Sequence, residues 1–154
     1  WNPDLADFLR SIVLSSSNLN LVEIAHILAY FANKNCLDPK LFEQSFYQVK
    51  DILQSQMTVS LKLHPSMIIR VKDICRCLWA AGHVNYRLTS SCLQSFVTYL
   101  NLEVVKAYLC NNPHMAVDVT LSLCIQGVDI PYLRSICQGH NIGQVRGEHV
   151  NCRN

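Results

Sequence analysis

Charge is scarce in this chain. Asp, Glu, Lys and Arg make up 16% of its 154 residues, against about 25% in an ordinary soluble domain. Half of the residues are apolar. A surface so short of charge is expected to be covered in part by something else, so the chain is expected to work inside a larger protein or assembly. The net charge of +2 excludes the strongly basic balance of a dedicated nucleic-acid binder, but it leaves room for a local basic stripe. No apolar run approaches the roughly 18 residues of a membrane span, so no membrane insertion is expected. Strand-like alternation is nearly missing too: Met57 to Leu63 is the one stretch that shows it. The chain also starts at Trp1 rather than Met, which suggests a processed or trimmed product.

The motifs of common enzymes are absent as well. There is no P-loop, no G-x-S-x-G, no H-E-x-x-H and no G-x-G-x-x-G, so the usual phosphate cradles, nucleophile elbows and zinc-protease sites are missing. Acidic residues are scattered singly near helix starts, where capping explains them. No pair of carboxylates is poised for acid–base work, no small-molecule substrate is indicated, and a non-enzymatic role is expected.

Helical signals are what the chain has. Asn2-Pro3 reads as a cap followed by a first-turn proline, with Asp4 and Asp7 at the positive end of the dipole. After a loop at Ser15 to Asn18, the residues Leu21, Ile24, Ala25, Leu28, Phe31 and Ala32 follow the i, i+3, i+4, i+7 rule. Asp38-Pro39 opens a third helix. Pro65 opens a fourth, with an apolar stripe of Met67, Val71, Ile74, Cys75 and Leu78, and Gly82 is expected to end it. Asn85 is expected to cap a fifth. A short sixth covers Glu103 to Cys110, Pro113 opens a seventh that Gly127 stops, and Asp129 with Pro131 opens an eighth ending near Gly139. The expected class is all-α.

Three junctions between these helices look alike. They are Leu37-Asp38-Pro39-Lys40-Leu41, Val84-Asn85-Tyr86-Arg87-Leu88 and Val128-Asp129-Ile130-Pro131-Tyr132. From Asp38 to Asn85 is 47 residues, and from Asn85 to Asp129 is 44. Such spacing predicts helical-hairpin repeats forming part of an α-solenoid. The expected organisation is one repeat domain over 1–139 and a polar C-terminal tail over 140–154.

The stretch DICRCLWAAGHVNYRLTSSCLQSFVTYL, Asp73 to Leu100, resembles a unit of the FAST-kinase-domain and octotricopeptide-repeat families. Ile74, Leu78, Trp79 and Ala80 match the "I-x-x-x-L-W-A" pattern of their first repeat helix. Ile27 to Phe42 matches more loosely, and Leu121 to Cys137 lacks the Trp. The resemblance implies an organellar, mitochondrial protein that takes part in RNA processing, stability, translation or ribosome assembly within a ribonucleoprotein. Kinase chemistry is not implied, because the Gly-rich loop, H-R-D and D-F-G are all absent.

Helical-repeat proteins read RNA with polar and basic side chains on one concave face. Lys40 and Arg87 stand at matching places in two junctions, and Lys72 and Arg76 lie one turn apart on the polar face of the fourth helix. Tyr86 and Tyr132 are candidates to stack on a base. The plainer alternative is a solvated face, with Asp73 balancing Arg76, on a scaffold that grips protein partners. Trp79, beside Leu78, is expected in the core or between repeats, with its indole N–H needing a partner if buried.

Eight cysteines are present. Most fall in apolar helical patterns, where a free thiol behaves as a small hydrophobe, and no N-x-S/T sequon occurs. A reducing compartment is expected. Cys75 and Cys77 cannot share a metal on one helix, since they point about 200° apart; Cys75 is expected in the core and Cys77 outside it. One cluster remains. Cys137, His140, His149 and Cys152 form C-x2-H-x8-H-x2-C, with ligands that suit zinc. The alternative is a core Cys137 followed by a polar tail, with no cofactor at all.

Overall fold

The computed structural model describes residues 1–16, 18–59 and 65–147, with side chains described for all of these except 56, 58, 59, 65–69 and 140–147. Among the described residues every regular element is a helix: α1 (Pro3–Ser15), α2 (Leu21–Asn33), α3 (Pro39–Val59), α4 (Pro65–His83), α5 (Ser90–Leu100), α6 (Glu103–Cys110), α7 (Pro113–Ile125) and α8 (Pro131–Gly147). The all-α expectation is met. Met57 to Val59, part of the alternating stretch, closes α3 as helix, and residues 60–63 lie outside the described residues.

Local chemistry explains the helix starts. Asn2 Oδ1 accepts from the N–H groups of Asp4 and Leu5, at 3.0 and 3.2 Å. Asn20 and Glu23 form a reciprocal capping box at 2.8 and 3.1 Å. Asp38 Oδ1 accepts from the Leu41 N–H at 3.1 Å, and its Oδ2 holds Arg10 Nε of α1 at 2.7 Å.

Three helix ends share one geometry. Asn35, Asn85 and Gly127 have φ of 52°, 57° and 77°, the left-handed region that ends helices. Each turn carries the same bond pair. The Asn35 N–H donates to Ala32 O and the Cys36 N–H to Phe31 O; the Asn85 N–H donates to Gly82 O and the Tyr86 N–H to Ala81 O; the Gly127 N–H donates to Cys124 O and the Val128 N–H to Leu123 O. These are Schellman turns closing α2, α4 and α7.

The turns correct two expectations. Asn85 does not cap α5. It is the left-handed residue that closes α4, and Thr89 caps α5 by accepting from the Cys92 N–H at 3.3 Å. The matching positions are therefore Asn35, Asn85 and Gly127, spaced by 50 and 42 residues, and Lys40 and Arg87 are not equivalent. Gly82 does not end α4 either, because the helix continues to His83. Gly82 allows a close approach instead. A Cβ built there would lie 2.9 Å from Ser122 Oγ and 3.1 Å from Ser122 Cα on α7. A third boundary also moves: α8 runs to Gly147 and does not stop near Gly139.

α4 is the centre of the molecule. It packs on α2 along one side, on α7 along the other, and on α6. A second row is formed by α1 on α3 and α3 on α5, while α8 packs on α7 and α6. Ile24 and Leu28 of α2, Ile74 and Leu78 of α4, Phe42 and Leu53 of α3, Phe96 and Tyr99 of α5, and Leu123 of α7 are fully or almost fully buried. Burying such a side chain contributes roughly 1.5–3 kcal/mol. The central position also corrects the expectation for Cys77. Not only Cys75 but also Cys77, Asp73 and Ala80 are buried, because neighbours cover α4 on almost every side.

Candidate functional site

From Lys72 to His83, after the exposed Arg70, one narrow stripe of α4 stays uncovered among the described residues. Lys72, Arg76, Trp79 and His83 are spaced by four, three and four residues, which keeps them on one face of a 3.6-residue helix. They run along about 16 Å of helix axis. Lys72 and His83 are exposed, and Arg76 and Trp79 are half-buried. Ala29 and Asn33 of α2 form one wall beside the stripe, and Met115 and Asp118 of α7 form the other, around a groove of about 270 Å³. The groove continues past Trp79 into about 160 Å³ between His83, Leu121 and Ile125, with Gly82 and Ser122 among its lining residues.

The two ends of the stripe differ. At the first, Arg76 Nη1 lies 3.5 Å from His26 Nδ1 of α2 and 4.0 Å from Asp73 Oδ1. These are long contacts that leave the guanidinium with donors to offer. Asp73 is 5% exposed, and its Oδ2 has no partner. At the second end Trp79 and His83 stack, centroids 4.9 Å apart and planes 25° from parallel. His83 Nε2 donates to Asn35 Oδ1 at 2.9 Å, so the turn that closes α2 fixes the imidazole over the indole.

The other residues expected to meet RNA lie elsewhere. Arg87 Nη1 donates to Ile125 O, in the last turn of α7. Beside it the Gln126 side chain pairs with the linker backbone: Nε2 donates to Tyr86 O at 2.7 Å, and Oε1 accepts from the Leu88 N–H at 3.0 Å. The linker Tyr86–Leu88 is thus fastened to the end of α7. The Tyr86 ring stacks on Phe46 at 5.6 Å and tilts against Phe42 at 5.4 Å. Burial, then the Glu43 charge, pushes its hydroxyl pKa up. Tyr132 donates its hydroxyl to Leu100 O, and Lys106 Nζ stands 5.4 Å over its ring. Lys40 is exposed on the first turn of α3, outside the groove.

The C-terminal Cys/His cluster is described only at its start. Cys137 Sγ is turned toward α7, 3.3 Å from Thr120 Oγ1 and 3.9 Å from Ala116 O. The His140 side chain, His149 and Cys152 lie outside the described residues. Among the described residues no three His, Cys, Asp or Glu side chains form a group able to hold a metal ion. The buried thiols do not suit nucleophilic chemistry. Burial, then the Asp118 charge, pushes Cys75 up to about 12. Burial, then Asp73, raises Cys77, and burial pushes Cys92 up to about 11 against the lowering effect of Lys50.

Trp79 and His83 complete this stripe but are not among the residues expected to meet RNA. The helical spacing of 72, 76, 79 and 83, beside the apolar stripe of α4, is the signal that could have found them. Set against models of protein families, curated proteins and solved structures, the chain matches none of them.

Proposed function

We propose that this chain is a non-enzymatic, RNA-associated module of helical-hairpin repeats, part of an α-solenoid, that works in an organellar ribonucleoprotein of a mitochondrion. The observation that carries the reading is the stripe of α4. It sets two cations, the exposed Lys72 and the Arg76 guanidinium with its long contacts, in line with a stacked aromatic pair, Trp79 and His83, along one groove. Cations track a phosphate backbone and aromatic faces take bases of any identity. The three Schellman turns support hairpin repeats, and the family resemblance of Asp73 to Leu100 supports the RNA role and the organelle. Crosslinking native material and identifying the bound RNA tests the reading. Recovery of proteins alone would end it.

A second reading, a protein scaffold without RNA contact, is favoured by the outer face of α1. Leu5 and Phe8 are 40% and 60% exposed one turn apart on α1, and Trp1, 56% exposed, precedes the helix with its ring against Tyr30 and Phe31 of α2. Surfaces of this kind mark protein contacts. Alanine at Leu5 and Phe8 together would release protein partners on this reading and leave RNA recovery unchanged on the first.

A further inference from the structure

We propose that the groove of α4 takes unpaired RNA in one orientation: a base stacks on the Trp79–His83 pair while Lys72 and Arg76 hold the neighbouring phosphates. The inference rests on the RNA reading above and says which form of RNA enters, and how.

Three observations fix the orientation. The cations and the rings occupy opposite ends of one stripe, so one strand passing along it meets charge first and π-surface second. Asp118 lines both parts of the groove, and Leu121 and Ile125 flank the rings. Asp118 is common to both ends, so the apolar walls decide: a phosphate at the aromatic end would face Leu121 and Ile125, away from Lys72 and Arg76, whereas a base is suited to them. His83 is exposed, stacks on the indole 25° from parallel and is tied to Asn35, so the stack is formed before any ligand arrives. The cost of ordering these side chains on binding is correspondingly small.

Size and chemistry then select the form of the RNA. The pocket beside the rings, about 160 Å³, suits a single planar base and not a double helix. In duplex RNA the base faces are stacked on one another and unavailable, while an unpaired base offers its face to an aromatic side chain.

The test uses Trp1→Phe, which leaves Trp79 as the only tryptophan and lies outside the groove. A single-stranded RNA of about 10 nucleotides, within the usual site size of single-strand binders, is titrated while Trp79 emission and RNA anisotropy are followed together. The expected result is saturable quenching of Trp79 that tracks binding. In the same background His83→Ala is expected to weaken binding roughly 10-fold, the scale of one lost base–aromatic stack, and His83→Phe to retain it. Both His83 variants lose the bond to Asn35, so their difference isolates the ring. The same sequence as a duplex is expected to bind more weakly. If anisotropy reports binding while Trp79 emission stays constant, or if His83→Ala binds as tightly as His83→Phe, the stacking inference is wrong and the RNA reading stands. If the duplex binds as tightly as the single strand, the selection of unpaired RNA is wrong. If neither form binds, the RNA reading and the inference both fail.

Discussion

The stripe of α4 and the linker that follows it use similar residues in opposite ways. On the stripe, Arg76 meets its neighbours at 3.5 and 4.0 Å and keeps donors for a ligand. In the linker, Arg87 donates to the last-turn carbonyl of Ile125, and Tyr86 packs on Phe46. The rings differ in the same sense: His83 over Trp79 faces the solvent, while Tyr86 is part of the packing between α3 and the linker. The difference comes from position. A helix C-terminus leaves carbonyls without partners, and a cation beside it is drawn into capping. A cation in the middle of a helix meets a backbone that is already satisfied. Basic residues of one type are therefore available for binding on the stripe and structural in the linker.

The largest expected effect probes what makes the stripe narrow, namely the burial of the rest of α4. Cys75 keeps its proton up to about 12 when folded, against the ordinary 9.0, and Cys92 up to about 11. A raised folded pKa means that the unfolded chain loses its proton first as pH rises. The stability these thiols contribute is whole below pH 9.0 and is lost as pH climbs toward about 12. Urea unfolding is expected to need steadily less denaturant across that window. An unchanged midpoint would mean that Cys75 of α4 and Cys92 of α5 reach solvent, and that the uncovered face of α4 is broader than one stripe.

Gly82→Val comes next. It lies where α4 presses on Ser122, between the stripe and the linker. Overpacking there is expected to cost about 2–3 kcal/mol, seen as a melting temperature lower by about 6 °C. A variant as stable as the parent would refute the close approach. Gln126→Ala attacks the linker alone. It removes both bonds to Tyr86 and Leu88, for about 2 kcal/mol, and no effect on RNA binding is expected. A loss of RNA affinity without a loss of stability would move the linker from structure to binding.

The sequence made some of this legible and hid the rest for identifiable reasons. Helix starts at Pro3, Leu21, Pro39, Pro65, Pro113 and Pro131 were readable because prolines, caps and apolar periodicity agree there. Asn85 misled because asparagine suits both an N-cap and a left-handed turn. The choice depends on Thr89, which supplies the cap four residues later. Gly82 has the look of a helix stop, yet its role is set by Ser122 on α7. Cys77 reads as exposed on an amphipathic helix, and only the central place of α4 buries it. Arg87 finds its carbonyl 38 residues away, which no local pattern contains. Half of the stripe, Lys72 and Arg76, was visible as a polar face. Trp79 was hidden because an aromatic beside Leu78 reads as core.

The comparison is tested most directly by the salt dependence of single-stranded RNA binding. Each phosphate held on a single strand adds about 0.7 to the slope of log affinity against log salt. Lys72→Ala with Arg76→Ala is therefore expected to reduce the slope by about 1.4, two phosphates' worth. Arg87→Ala is expected to leave it unchanged while lowering stability by about 1 kcal/mol. A slope that Arg87→Ala reduces, and that the Lys72 and Arg76 pair does not, would contradict the assignment of the stripe as the binding surface.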